Sequence, residues 1–297
     1  MFFISFLNFK ILNSAVVEFP EASGDQLIAA VVGKPIAHSL SPLIHNTAFK
    51  QENLNWVYHA IEVMEKEATE CIAAVREKNI RGLSVTMPLK EAVIPYLDGL
   101  TETAKELNAI NCVFWDGDNL IGDNTDGDGF VNALKSQLNE SLNDKTFAII
   151  GAGGAARSVV YSLGKNSVKQ IIVVNRSKQK AEAAVQLGGS NARVGSYEDV
   201  AACDIVVNST PLGMARTPTE ALLPVPVEFL SANQTVIDLV YNPIETEFLR
   251  QAKSLGATTF SGLGMLIHQA LLQFRLWTGL KTPIEGIENV VFNAVSQ

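Results

Sequence analysis

Residues 147–156 read Phe-Ala-Ile-Ile-Gly-Ala-Gly-Gly-Ala-Ala, and their reading decides the fold. Phe147–Ile150 is an unbroken apolar run, the mark of a strand buried on both faces. Gly151, Gly153 and Ala156 then satisfy G-x-G-x-x-(G/A), and a helical pattern runs from about Ala155 to Leu163. Each position has its own physical reason. Gly151 permits the tight turn, Gly153 lets the backbone approach a pyrophosphate, and Ala156 keeps the helix close to the strand. The free N–H groups and the positive end of the helix dipole then face the phosphates. The rival reading is a tight turn with no ligand. The strand before it and the helix after it favour a dinucleotide site.

The end of the next strand selects the dinucleotide. Gln170–Val174 reads as that strand, and Asn175-Arg176-Ser177 follows, with Lys178 and Lys180 close behind. An NAD site places an Asp or Glu there to bond the ribose 2′-hydroxyl. A carboxylate would repel a 2′-phosphate, whereas a guanidinium grips it with two hydrogen bonds. NADP(H) is therefore expected. A solvated helix face is the competing account, weak for Arg176 and fair for Lys178.

Outward from this unit, strand-like runs alternate with helical segments, the rhythm of an α/β protein with a largely parallel sheet. Strands are expected at Leu27–Val32, 55–63, Gly82–Thr86, Asp204–Val207 and Thr235–Leu239, and a hairpin after Asn111 turning at Asp116–Asp118. The expected division is an extension at 1–25, an α/β domain at 26–126, a nucleotide-binding domain at 127–262, and helices at 263–297 returning to the first domain.

Composition narrows the class. The chain has 297 residues, 47% apolar and 18% charged, which suits globular domains with sizeable cores. A net charge of −8 with no basic stripe argues against nucleic acid and against an anionic membrane surface. Cys71, Cys112 and Cys203 are sparse and lack C-x-x-C spacing, so free thiols in a reducing, cytoplasmic compartment are expected. His38, His45, His59 and His268 show no metal spacing, and no metal is expected. Residues 1–17 are apolar, but Lys10 lies mid-run and the run is too short to span a bilayer. An inert extension is the expectation there, with targeting or an extra packed element as the alternatives. A monomer or a homodimer is expected.

Four further segments are polar where a core would be apolar: Gly33–Pro42 with Ser39 and Ser41, Val85-Thr86-Met-Pro-Leu-Lys90, the strand opening at Asn111, and Gly122–Phe130 containing Asp126. Together with Asn175-Arg176, Asn208–Met214, Gly262–Leu266 and Gln269, in this order, they resemble the shikimate dehydrogenase family from about residue 29 to 290. The resemblance implies an N-terminal α/β substrate domain plus a Rossmann-like NADP-binding domain. It implies Lys90 and Asp126 as the catalytic pair, and Ser39 and Ser41 as donors to a substrate carboxylate. Thr86, Asn111, Tyr241 and Gln269 would bind that carboxylate or ring hydroxyls. Gly151, Gly153, Gly154 and Ala155 would cradle the pyrophosphate. Asn175, Arg176, Ser177 and Lys180 would face the 2′-phosphate, and Leu239 and Gly262 the nicotinamide. Two positions depart from the family pattern: Cys112 stands where Thr is usual, and Ser84 where Asn is often found.

The implied activity is NADPH-dependent reduction of 3-dehydroshikimate to shikimate. Hydride delivery to a ketone builds negative charge on oxygen, which a nearby ammonium can stabilise and protonate. Lys90 suits that role, with Asp126 fixing it by a charge-assisted hydrogen bond. Taken singly, Lys90 reads equally as an exposed helix-start lysine, and Asp126 as the N-cap of a helix beginning near Gly127. Ser41 before Pro42 reads as an N-cap too. His38 and His45 read as structural. The alternatives to the implied activity are a quinate/shikimate dehydrogenase of broader specificity and a non-catalytic NADP(H)-binding regulator on the same fold.

Overall fold

The computed structural model describes residues 17–37 and 39–295. The first half runs β1 (Leu27–Gly33), α1 (Ser41–Gln51), β2 (Trp56–Glu62), α2 (Ala68–Glu77), β3 (Gly82–Val85), α3 (Leu89–Ala92), β4 (Gly99–Leu100), α4 (Glu102–Leu107), β5 (Cys112–Asp116), β6 (Asn119–Asp123) and α5 (Asp126–Leu138). The second runs β7 (Thr146–Ile150), α6 (Gly154–Lys165), β8 (Gln170–Val174), α7 (Lys178–Leu187), β9 (Ala192–Val194), α8 (Tyr197–Val200), β10 (Ile205–Asn208), β11 (Thr235–Asp238), α9 (Glu247–Ser254), β12 (Thr258–Ser261), α10 (Leu263–Thr278) and α11 (Glu285–Val295).

Two six-stranded sheets result. The first is mixed, in the order β2-β1-β3-β5-β6-β4, with β1 parallel to β2 and β3 and the β5–β6 hairpin antiparallel. The second, β12-β11-β10-β7-β8-β9, is parallel throughout. From β7 the chain order runs outward through β8 on one side and β10 on the other. The strand ends at β7 and β10 therefore flank a topological switch point, where such sheets open a crevice.

Alternation along each strand fills both faces. Phe147 and Ile149 pack with Val159, Val160 and Leu163 of α6, while Ala148 and Ile150 pack with Phe248, Leu249 and Ala252 of α9. In the first sheet Ala30 and Val32 pack on Cys71, Ile72 and Val75 of α2. Ala29 and Val31 pack on the opposite face with α1, Phe274 of α10 and Ile287 of α11. All three cysteines are free and buried.

The described end of the expected extension, residues 17–25, makes two core contacts. Val17 and Phe19 are buried in the core with α2, and Lys78 Nζ donates to the Phe19 carbonyl at 3.0 Å. These two apolar side chains cover a face of α2, as the alternative of a packed element has it. Residues 1–16 lie outside the described residues. Among the described residues, no helix is long and apolar enough to cross a membrane.

Helix α5 follows the last strand of the first sheet and lies between α6 and α10. A Cβ at Gly127 would strike the Ser158 carbonyl of α6, and one at Gly129 would lie 2.7 Å from the Gln269 nitrogen of α10. Glycine at both positions lets three helix backbones approach, and this brings Asp126 and Gln269 to one place.

Candidate active site

Lys90 sits in α3, just beyond β3. Its segment is tied to the approach to β5: Val85 N–H donates to the Asn111 carbonyl, and Ile110 N–H to the Lys90 carbonyl, both at 2.8 Å. Lys90 Nζ thereby comes 2.5 Å from Asp126 Oδ2, across 36 residues of sequence. The two side chains remain 27% and 12% exposed, so the pair is reachable from solvent. Asp126 does not cap α5. Thr125 holds the N-cap position without a side-chain cap bond, and the Asp126 carboxylate turns to Lys90 instead. A cap must stand outside the first turn, and Asp126 is already inside it.

The other carboxylate oxygen is held as well. Asn111 Nδ2 donates to Asp126 Oδ1 at 2.7 Å and to Gln269 Oε1 at 3.1 Å, while Thr125 N–H donates to Asn111 Oδ1 at 2.8 Å. Asn124 Oδ1 accepts Asp126 N–H at 3.1 Å. Asn111, Asn124 and Thr125 are almost wholly buried, and each is satisfied by its neighbours. Asp126 therefore has little freedom to rotate away from the ammonium.

Ser39, Ser41 and Thr86 lie beyond the ends of the adjacent strands β1 and β3, where Lys34 N–H donates to the Met87 carbonyl at 2.8 Å. Ser41 is not the N-cap of α1, which begins at Ser41 itself with Leu40 at the cap. Ser39 Oγ accepts Ser41 N–H at 3.2 Å, so the hydroxyl two residues earlier satisfies the helix start. Tyr241 follows β11, yet it packs on the core cluster shared by α1 and α10, and burial pushes its phenol up. His45 is fully buried and stacked on Tyr58, with ring centroids 4.3 Å apart, and burial pushes its pKa down to about 3. It is neutral near pH 7 and does not reach the Lys90 pair. His38 lies outside the described residues.

The glycine turn stands at the switch point. Gly151 has φ +113°, and a Cβ there would lie 2.7 Å from Ser209 Oγ and 3.1 Å from Thr210 Cγ2, beyond β10. Any side chain would both strain the turn and close the crevice. Gly153 and Gly154 face open space, Ala155 is half-buried, and Ala156 is buried against the strand. The free N–H groups at the start of α6 thus have room for an anionic group.

Beyond β8, Asn175 Nδ2 donates to the Ser177 carbonyl at 2.9 Å, and Ser177 caps α7 by accepting Lys180 N–H at 3.4 Å. Arg176 and Lys180 are exposed, and neither takes part in an ion pair among the described residues. Lys178 pairs loosely with Glu182 at 3.8 Å, as a solvated helix face does. A free cation pair, a capped helix start and an open glycine turn fit a dinucleotide with a 2′-phosphate.

Leu239 and Gly262 touch: a Cβ at Gly262 would strike the Leu239 carbonyl. Behind Leu239, the buried Asp238 carboxylate accepts from Thr246 Oγ1 at 2.7 Å, Asn208 Nδ2 at 2.8 Å and Val240 N–H at 3.0 Å. Burial pushes this carboxyl up to about 6 against the pull of those donors. It ties the loops after β10 and β11 to α9. Helix α10 starts at this contact and carries Gln269 to Asn111 seven residues later, about 10 Å at the helical rise.

Sequence reasoning assigns no role to four residues that the structure puts to use. Asn46 pairs both amide atoms with the Tyr58 backbone, at 2.9 and 3.0 Å, and so satisfies part of the β2 edge. Tyr58, Ser84 and Gln273 form a buried chain behind the site. The legible signal is Gln269 and Gln273 four apart on the buried side of a largely apolar helix.

Comparison with known proteins fits this geometry. Residues 31–113 match the shikimate dehydrogenase substrate binding domain, residues 133–239 the shikimate / quinate 5-dehydrogenase family, and residues 262–292 the shikimate 5′-dehydrogenase C-terminal domain. The chain is 39% identical over 276 residues to a shikimate dehydrogenase (NADP(+)) of Alkaliphilus oremlandii, covering 89% of this chain and 96% of the relative. It is 37% identical to that of Bacillus subtilis, covering 88% and 95%. The crystal structure of shikimate 5-dehydrogenase from Thermus thermophilus in complex with NADP(H) and shikimate superposes with a TM-score of 0.81 at 35% identity, covering 91% of this chain and all of that one.

Proposed function

This chain belongs to the shikimate dehydrogenase family, and from that premise we propose a role for each polar residue of its cleft. The protein is an NADP-dependent oxidoreductase that interconverts 3-dehydroshikimate and shikimate, a step of the shikimate pathway. The observation that carries the residue assignment is the Lys90–Asp126 contact of 2.5 Å, with Asn111 on the second carboxylate oxygen.

NADPH, when bound, supplies the hydride that the ring carbonyl carbon accepts. Lys90 Nζ donates to the carbonyl oxygen and hands over its proton as negative charge develops there. Asp126 holds the ammonium in place, and in the reverse direction Lys90 takes the hydroxyl proton. Ser39 and Ser41 bind the substrate carboxylate. Thr86, Asn111, Tyr241 and Gln269 bind the carboxylate or the ring hydroxyls. Gly151, Gly153, Gly154 and Ala155 hold the pyrophosphate, Asn175, Arg176, Ser177 and Lys180 the 2′-phosphate, and Leu239 and Gly262 the nicotinamide.

The same reading divides the chain into a substrate domain at 26–126, a cofactor domain at 127–262 and returning helices from 263. Supporting it, the strands of the two sheets fall within 27–123 and 146–261, and α10 packs on α1 and α5. A cytoplasmic monomer or homodimer acting on this small-molecule substrate completes the proposal, and three buried free thiols are consistent with a reducing compartment.

Asp126→Asn tests the pair. An amide offers one acceptor where Lys90 and Asn111 both donate, so a donor is left facing a donor. The expected result is a fall in kcat/KM for shikimate of about 10²-fold in protein that a thermal melt shows still folded at the assay temperature. Turnover within a few-fold of wild type would remove Asp126 from the mechanism.

A further inference from the structure

The amide of Gln269 can present either its oxygen or its NH2 group to the cleft, and nothing in Gln269 itself decides which. The decision comes from behind. Gln269 Oε1 accepts from Gln273 Nε2 at 2.8 Å and from Asn111 Nδ2 at 3.1 Å, so its oxygen is turned inward and its NH2 group outward. Gln273 is wholly buried, and its second N–H points to the Asn111 carbonyl at 3.1 Å. Its orientation is fixed from both ends, by that carbonyl, which can only accept, and by Ser84, whose hydroxyl donates to Gln273 Oε1. Ser84 in turn accepts from the Tyr58 hydroxyl at 2.5 Å. Ser84 has one proton and gives it to Gln273, so the Tyr58 phenol, kept protonated by burial, is the donor in this bond.

We propose that Tyr58, Ser84 and Gln273 form a one-way hydrogen-bond relay that sets the amide orientation of Gln269, so that its NH2 group faces a substrate oxygen. The three are positioning residues, drawn from β2, β3 and α10, and each link has one possible polarity once the phenol donates. The relay deepens the substrate-binding role assigned to Gln269 above and rests on it. It also gives Ser84, where the family often has Asn, a definite part to play. Ser84 supplies a single hydroxyl proton, and Tyr58 aims it. Gln269 Nε2 meanwhile gives one N–H to the Leu266 carbonyl at 2.8 Å within its own helix, which leaves the other for the substrate.

The test reads shikimate binding by calorimetry and turnover separately, in the full-length enzyme. Ser84→Ala should weaken the Kd for shikimate by about ten-fold, the size of one buried hydrogen bond, and leave the Kd for NADP+ unchanged. Tyr58→Phe should act in the same direction by about three-fold, because Ser84 keeps its proton but loses its aim. Ser84→Thr, which keeps the hydroxyl, should restore binding. Gln273→Glu should weaken shikimate most at alkaline pH, since a carboxylate only accepts. The loss should shrink as pH falls, because a protonated carboxyl donates to Gln269 again. An unchanged shikimate Kd in Ser84→Ala, or a pH-independent loss in Gln273→Glu, would overturn the relay. Wild-type enzyme that binds shikimate but never oxidises it would instead overturn the catalytic reading.

Discussion

Lys90→Ala should lower kcat by about two to four orders of magnitude while KM for shikimate changes little. The lysine is the one ammonium that Asp126 holds among the described residues, and its side chain is 27% exposed to solvent. Removing it leaves the hydroxyl and amide donors of the substrate site intact, so ground-state binding survives. The lost interaction is one made chiefly as the carbonyl oxygen gains charge, which places the loss in kcat. Folding should hold, because Asp126 keeps Asn111 as a donor and its carboxylate stays within reach of solvent. Steady-state kinetics beside a thermal melt separates these effects. A kcat within a few-fold of wild type would remove Lys90 from the proton step.

Arg176→Ala should raise KM for NADP+ by about 10- to 100-fold and leave KM for NAD+ nearly unmoved. The guanidinium is exposed beyond β8 and pairs with no carboxylate among the described residues, so its loss breaks nothing else. Charge-assisted bonds to a phosphate supply an effect of that size, and NAD+ has no 2′-phosphate to lose. Kinetics with both dinucleotides reads the difference directly. Equal losses for the two would mean that Arg176 acts on the fold or on a part of the cofactor common to both.

The cofactor half is legible in the sequence because its logic is local. A strand, a glycine at positive φ and a helix start are contiguous in 147–156, and the strand end at 175–177 follows soon after. The catalytic pair is legible only through the family resemblance. Spacing by itself makes Lys90 a helix-start lysine and Asp126 a cap, because 36 residues separate them and only the folded sheet brings them together. Two local expectations miss by small displacements. Ser41 is the first residue of its helix and Ser39 supplies the acceptor, while Asp126 sits one place inside α5. The packing of Val17 and Phe19 is hidden because the α2 face they cover exists only after folding. The relay is hidden for the same reason: Tyr58, Ser84 and Gln273 meet only when β2, β3 and α10 are assembled.

NADP-linked oxidation of shikimate, with the proton step proposed for the Lys90–Asp126 pair, is the reaction that joins the two halves of the account. It is read most directly from the absorbance of reduced nicotinamide when purified protein is given shikimate and NADP+, beside quinate and NAD+ controls. Rapid reduction of NADP+ with shikimate is expected, with much slower turnover for the other pairs. Faster turnover with quinate, or no turnover with any pair in protein that binds NADPH, would contradict the assignment.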